Sequence, residues 1–146
     1  MERKDFIEKV GMSGAALLVM GCLGSCSKSG SSAGTNPNPT PNKPVDFTIN
    51  ITTAPYNVLQ NTGGFYVDSA TNVIIAKTST GALIAVSSLC THQATTIEFQ
   101  NNNNRFYCSG HGSTFSTAGA VLTGPATTAL KAYKTSLSGS LLRIYE

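Results

Sequence analysis

Two short motifs that combine cysteine with histidine constrain this chain more than any other feature. The first motif is Cys90-x-His92 and the second is Cys108-x-x-His111, with fifteen residues between His92 and Cys108. They contain both histidines of the 146-residue chain and its only cysteines beyond residue 26. Each motif offers one thiolate and one imidazole, which are ligand types that suit iron–sulfur or zinc sites. The four side chains therefore predict a metal centre.

The order and spacing of these four residues resemble those of the Rieske family. In that family two cysteines hold one iron of a [2Fe–2S] cluster and two histidines hold the other iron. The resemblance implies that Cys90 and Cys108 bind one iron, and that His92 and His111 bind the second. It covers roughly residues 45–146 and implies one cluster per chain.

Residues beyond the four predicted ligands extend this resemblance. Ser113 follows the second motif and is similar to the family's serine that donates a hydrogen bond to a bridging sulfide; the alternative is that it only caps a turn. Gly124-Pro125-Ala126 resembles the loop that covers the cluster, so Pro125 is predicted to lie in that loop. Phe115 stands where the quinol-oxidising members have tyrosine. Hydrogen bonds to the cluster sulfurs raise the reduction potential, and phenylalanine has no hydroxyl group to donate one. We therefore expect a reduction potential below that of the quinol-oxidising members.

The quinol-oxidising members also have a further cysteine in each ligand-bearing loop, and these two cysteines form a disulfide. The matching positions in this chain, Gln93-Ala94-Thr95 and Ser109, contain no cysteine. In this respect the chain is more similar to the ferredoxin-type members of the family.

A single zinc ion is the main alternative for the same four residues. Two thiolates and two imidazoles form a chemically sensible zinc site, although zinc fingers usually pair cysteine with cysteine and histidine with histidine along the chain. Under this alternative the protein is a non-redox structural or interaction module at the cell surface. A catalytic cysteine–histidine pair would leave the second cysteine and the second histidine without a role.

The first 26 residues are typical of an export signal. Their apolar stretch, residues 11–24, is shorter than the roughly 20 residues that a membrane-spanning helix needs. Leu23-Gly24-Ser25-Cys26 resembles a bacterial lipobox, so Cys26 is the predicted lipidation site, and Cys22 ends a poorer match. An uncleaved anchor helix is the alternative interpretation. The basic n-region leaves both the twin-arginine route and the general secretory route open.

Residues 27–44 form a low-complexity linker that is rich in Ser and Gly, and then in Pro and Asn. Such a composition cannot bury a core, and its prolines favour an extended conformation. A lipid on Cys26 would then tether the following domain to a membrane. We therefore predict an exported, membrane-anchored bacterial lipoprotein that faces the periplasm.

From residue 45 onward the pattern predicts an all-β domain. Residues 47–51 alternate apolar and polar side chains, as a half-buried strand does. Further strands are predicted at residues 58–59, 65–67, 72–77, 82–87, 96–99, 105–107, 120–122, 128–135 and 141–145. The hairpin of residues 96–107 turns at an asparagine run, and it would bring the two motifs together. The resemblance implies a small antiparallel β-sandwich or barrel with an inserted cluster-binding loop subdomain.

Length and charge narrow the range of functions. The chain is long enough for one folded domain, and its net charge of +3 is too weak and too scattered to indicate nucleic-acid binding. The sequence shows no substrate pocket of its own, so the predicted role is one-electron transfer as a component of an oxidoreductase rather than as a stand-alone enzyme. The predicted partner is a redox protein, either a quinol–cytochrome complex or a subunit of a periplasmic oxidase.

Overall fold

The structure is a computed structural model, and it describes residues 44–146. The predicted export signal, Cys26 and nearly all of the predicted linker lie outside the described residues. The described part consists of ten antiparallel β-strands and two short 3₁₀ helices, which confirms the predicted all-β class. None of its helices is long and apolar enough to cross a membrane.

The strands are three to seven residues long. In chain order they are β1 (Asp46–Asn50), β2 (Phe65–Asp68), β3 (Val73–Lys77), β4 (Leu83–Ser87), β5 (Glu98–Gln100), β6 (Arg105–Tyr107), β7 (Thr114–Ser116), β8 (Val121–Thr123), β9 (Ala132–Ser138) and β10 (Leu141–Tyr145).

Six strands form the larger sheet, in the order β1-β10-β9-β4-β3-β2. Strand β9 joins the two halves of this sheet, because it pairs along five residues with β10 but only through two residue pairs with β4. Strand β10 shows the alternation that a half-buried strand predicts: Leu142 and Ile144 are buried, whereas Leu141 and Arg143 are exposed.

The other four strands form a smaller sheet, in the order β5-β6-β7-β8, which is inserted in the chain between β4 and β9. Phe99, Phe106 and Phe115 lie opposite one another on neighbouring strands of this sheet. All three side chains are buried, and they pack into one hydrophobic core with residues of β3 and β4. The predicted hairpin is confirmed, and its turn ends at Asn104, which has a φ of 46°.

Two strand predictions were wrong in detail. Residues 58–59 lie in a 3₁₀ helix, Tyr56–Gln60, in which only Leu59 is buried, so two adjacent apolar residues were not sufficient evidence for a strand. The strand predicted at residues 128–135 begins only at Ala132. The residues before it cross between the two sheets, and the N–H of Leu130 donates to the carbonyl of Gly119 rather than to a neighbouring strand of the larger sheet.

Candidate metal centre

The two motifs lie in loops that share one backbone hydrogen-bond pattern. The first ligand loop, residues 90–95, comes soon after β4, and the second ligand loop, residues 108–113, connects β6 to β7. The N–H groups of Cys90 and Cys108 each donate to the carbonyl five residues later, at 2.8 Å and 2.9 Å. Their carbonyls each accept from the N–H four residues later, at 2.8 Å and 3.0 Å. The two loops therefore present their cysteines in equivalent backbone settings.

The fourth residue after each cysteine has a left-handed backbone conformation. In the second ligand loop this residue is Gly112, with a φ of 80°, and in the first it is Ala94, with a φ of 52°. Glycine adopts positive φ without steric cost, whereas the Cβ of alanine comes too close to the backbone there. The first ligand loop therefore carries backbone strain that the second does not.

Replacing Ala94 by glycine should relieve this strain. We expect Ala94→Gly to raise the free energy of unfolding by about 1 kcal/mol, measured by urea unfolding followed by circular dichroism. Ala118 provides a matched control, because it is exposed and its φ is not positive. Ala118→Gly should stabilise nothing, and an equal gain from both variants would contradict the strain at Ala94.

The two histidine side chains lie against each other. Their ring centroids are 4.7 Å apart and their planes are inclined by 84°. His111 is exposed, whereas His92 is half-buried and its Nδ1 is buried without a hydrogen-bond partner among the described residues. Buried polar atoms nearly always have a partner. A buried ring nitrogen without a hydrogen-bond partner is what is expected of a nitrogen that binds a metal.

Both cysteine side chains are free and buried beneath the two loops, with Cys90 2% and Cys108 0% exposed. Burial raises the pKa of the Cys90 thiol, while N–H groups of His92 and Gln93 that donate to its sulfur act in the opposite direction; the neighbouring Cys108 raises the pKa further. Donors of this kind stabilise a thiolate, and metal coordination removes the thiol proton outright. The Cys90 sulfur is therefore suited to bind a metal, and both sulfurs are shielded from solvent.

The four side chains form two pairs rather than one tetrahedral group. Within residues 44–146, no three side chains of His, Cys, Asp or Glu gather closely enough to hold a single ion. A structural zinc ion needs four ligands around one centre, so the zinc alternative is not favoured. A cluster that takes two cysteines on one iron and two histidines on the other fits the two pairs.

A third segment, residues 124–128, is hydrogen-bonded to both ligand loops and is called the covering loop below. The N–H of Ala126 donates to Oγ of the fully buried Ser113 at 2.9 Å. The hydroxyl of Thr91 donates to the carbonyl of Thr128 at 2.6 Å. Pro125 lies in the covering loop and is exposed. Because the Ser113 hydroxyl accepts this bond, it keeps its own hydrogen to donate, as its predicted role requires.

Removal of the Ser113 hydroxyl should therefore destabilise the domain. Ser113→Ala leaves the N–H of Ala126 buried without an acceptor, and such a loss costs about 1–3 kcal/mol. The exposed Ser109 of the same loop provides the control, and Ser109→Ala should change the free energy of unfolding by less than about 0.5 kcal/mol. Equal effects of the two variants in urea unfolding would contradict the hydrogen bond to Ala126.

Two residues that shape the site, Thr91 and Gly110, were not predicted from the sequence. Thr91 binds the covering loop through its side chain, and nothing in its own sequence context signals that contact. Gly110 lies directly against Thr95, since a Cβ built on Gly110 would be 2.8 Å from the Thr95 Oγ1 atom. A glycine between two predicted ligands is a signal of close backbone approach that could have drawn attention to this position.

Comparison with known proteins identifies relatives of this domain. The family model of the Rieske [2Fe-2S] domain matches residues 57–134. The cytochrome b6-f complex iron-sulfur subunit of Chlorobaculum thiosulfatiphilum is 32% identical over 71 residues, which are 49% of this chain and 39% of that protein. The chloroplastic subunit of Pisum sativum is 36% identical over 56 residues, which are 38% of this chain and 24% of that protein. The chain therefore spans less than half the length of these relatives.

A solved structure shows the same fold. The ferredoxin of carbazole 1,9a-dioxygenase from Nocardioides aromaticivorans IC177 has a TM-score of 0.51 and 20% sequence identity, and the likeness covers 58% of this chain and 86% of the ferredoxin. The match to the family model spans more than half of the chain and includes all four predicted ligands. The chain therefore belongs to the Rieske [2Fe–2S] domain family, and its cofactor is one such cluster.

Proposed function

We propose that the protein is a membrane-tethered one-electron carrier in a respiratory or periplasmic oxidoreductase system. The observation that carries the proposal is the pairing of two buried cysteines with two touching histidines. We assign Cys90 and Cys108 to one iron, and His92 and His111 to the other. When bound, the [2Fe–2S] cluster takes up and releases one electron, and its imidazole ligands make it a better electron acceptor than an all-cysteine cluster.

The four predicted ligands differ in their exposure to solvent, so the two sides of the site are not equally accessible. The cysteines are buried in the core, whereas His111 is exposed and His92 is half-buried. The histidine side is therefore where a redox partner can approach. Between residues 88 and 130 the only charged side chains are Glu98 and Arg105. Charge therefore contributes little to the docking of a redox partner on this surface, and shape complementarity must contribute more.

The relatives support a cytochrome complex as the class of redox partner. Both curated relatives are iron–sulfur subunits of cytochrome b6-f complexes, and a quinol–cytochrome complex is accordingly the partner that we propose. A periplasmic oxidase subunit is the other candidate from the sequence. Quinol added to membranes that contain the protein and its partner complex should reduce the cluster. If the partner is instead an oxidase subunit, quinol should not reduce the cluster.

The lipobox-like sequence supports the membrane tether and the periplasmic location. In a bacterial host, Cys26→Ser should abolish labelling by a radioactive fatty acid and move the full-length protein from the membrane fraction to the soluble fraction. Cys22→Ser is the matched control and should leave both properties unchanged. Labelling that survives in Cys26→Ser and disappears in Cys22→Ser would assign the lipidation site to Cys22. Absence of labelling in the parent protein would exclude the lipid anchor.

A redox titration tests the carrier function itself. The iron-loaded protein should be reduced and reoxidised reversibly with one electron per chain, followed by its visible absorption. Irreversible bleaching, or no redox transition in protein that retains its iron, would contradict the proposed function.

A further inference from the structure

The two ligand loops approach each other at Thr95 and Gly110. An ideal Cβ on Gly110 would lie 2.8 Å from Oγ1, 3.4 Å from Cβ and 3.4 Å from Cγ2 of Thr95. The Thr95 side chain therefore fills the space in which a side chain at position 110 would start. The φ of Gly110 is not in the left-handed region, so its backbone does not require glycine. The three atoms nearest to a Cβ at position 110 all belong to Thr95, so Thr95 is the residue that such a Cβ would meet first.

Thr95 is also connected to a predicted ligand. Its carbonyl accepts the N–H of Cys90 at 2.8 Å, which closes the first ligand loop. Gly110 lies between Cys108 and His111 in the second ligand loop. A shift of Thr95 relative to Gly110 is thus a shift of one set of predicted ligands relative to the other.

Few other hydrogen bonds fix this distance. Among the described residues, no backbone or hydroxyl group of the first ligand loop is hydrogen-bonded directly to the second, and the direct polar contact between them is that of the Cys90 and Cys108 thiols. Each loop is instead bound to the covering loop, the first through Thr91 and the second through Ser113. The two loops also meet at the adjacent thiols and at the two histidine rings. These groups are the predicted ligands themselves, so another contact has to fix their spacing.

We propose that Thr95 is a positioning residue: its side chain, seated on Gly110, sets the spacing of the two ligand loops and with it the approach of His92 to His111. A threonine suits this task because its branched Cβ restricts χ1 to few rotamers. The contact thus acts as a stiff spacer between two loops that each contain a single cysteine, which is a predicted ligand. This inference rests on the ligand assignment under the proposed function.

The experiment is a double-mutant cycle in the full chain, with Thr95→Ala, Gly110→Ala and the double variant. Each protein is reconstituted with iron and sulfide, and the half-life of its visible absorption is measured in excess chelator. Gly110→Ala should shorten that half-life by about tenfold, since the new Cβ collides with Oγ1 of Thr95. In the Thr95→Ala background the colliding Oγ1 and Cγ2 atoms are gone, and the same substitution should shorten it by less than about threefold.

Electron paramagnetic resonance of the reduced proteins separates positioning from general stability. Thr95→Ala should broaden or shift the signal of the parent protein, because the histidines are held less uniformly. Thr95→Val keeps the branched side chain next to Gly110 and should retain the parent signal, and so should Thr123→Ala, a control at an exposed threonine of β8. If Gly110→Ala does not assemble a cluster alone, recovery of the signal in the double variant still supports the contact.

Two outcomes would overturn the proposal in distinguishable ways. A parent protein without the signal of mixed cysteine and histidine ligation would remove the ligand assignment, and the role of Thr95 with it. A normal parent signal, with Gly110→Ala equally harmful in both backgrounds and with an unchanged signal in Thr95→Ala, would leave the electron carrier intact and exclude Thr95 as a positioning residue.

Discussion

Replacing Cys108 by serine is expected to reduce bound iron to less than about a tenth of the parent amount, and to remove the visible colour. Residues that only support a metal ligand change affinity by about 10–100-fold, so loss of a ligand itself should have at least that effect. Cys108 is fully buried in the core of the smaller sheet. Iron analysis and visible spectroscopy after reconstitution measure the loss directly.

The chain provides a close control for this prediction. Cys22→Ser removes a cysteine from the N-terminal segment and should leave about two iron atoms per chain, as expected for one [2Fe–2S] cluster. His111→Ala should lose iron as Cys108→Ser does, because the second iron depends on the histidine pair. Retention of the full iron content by Cys108→Ser, or equal losses in Cys22→Ser and Cys108→Ser, would contradict the ligand assignment.

Replacing Phe106 by alanine should have the largest effect on stability. This side chain is fully buried in the core of the smaller sheet, with its ring centroid 5.3 Å from that of Phe99 and its strand position opposite Phe115. Truncation of a buried phenylalanine to alanine costs about 3–5 kcal/mol, because it loses transfer free energy and leaves a cavity. Phe106 precedes Cys108 by two residues, so the second ligand loop should also be loosened.

Phe65 is the matched control for this substitution, since it is 36% exposed at the start of β2. Phe65→Ala should lower the free energy of unfolding by less than about 1.5 kcal/mol, because much of the ring already contacts water. Both variants are compared by urea unfolding of the full chain. Comparable losses in the two would show that the smaller sheet does not depend on its phenylalanine core.

The family and the fold class could be predicted from the sequence because they depend on local signals. Four side chains of types that bind metals, in a definite order and spacing, indicate the chemistry without any knowledge of tertiary structure. The strand at residues 105–107 and the turn before it were also predictable, since the asparagine run favours a turn and Asn104 adopts positive φ. These features are determined by residues that are neighbours in the chain.

The details that were not predicted depend on residues that are distant in the chain. Thr95 and Gly110 belong to different loops, and their contact exists only because β5 pairs with β6. The bond from Thr91 to Thr128 spans 37 residues. The 3₁₀ helix at residues 56–60 was missed for another reason, since two apolar residues cannot distinguish the period of a strand from that of a helix.

The measurement that tests the central claim most directly is electron paramagnetic resonance of the dithionite-reduced, iron-reconstituted protein, recorded together with its visible spectrum and its iron and zinc content. A reddish-brown protein with about two irons per chain and a rhombic signal, whose average g value lies below that of an all-cysteine cluster, is the predicted result. A colourless protein that gives no signal and binds one zinc per chain would contradict the electron-transfer function.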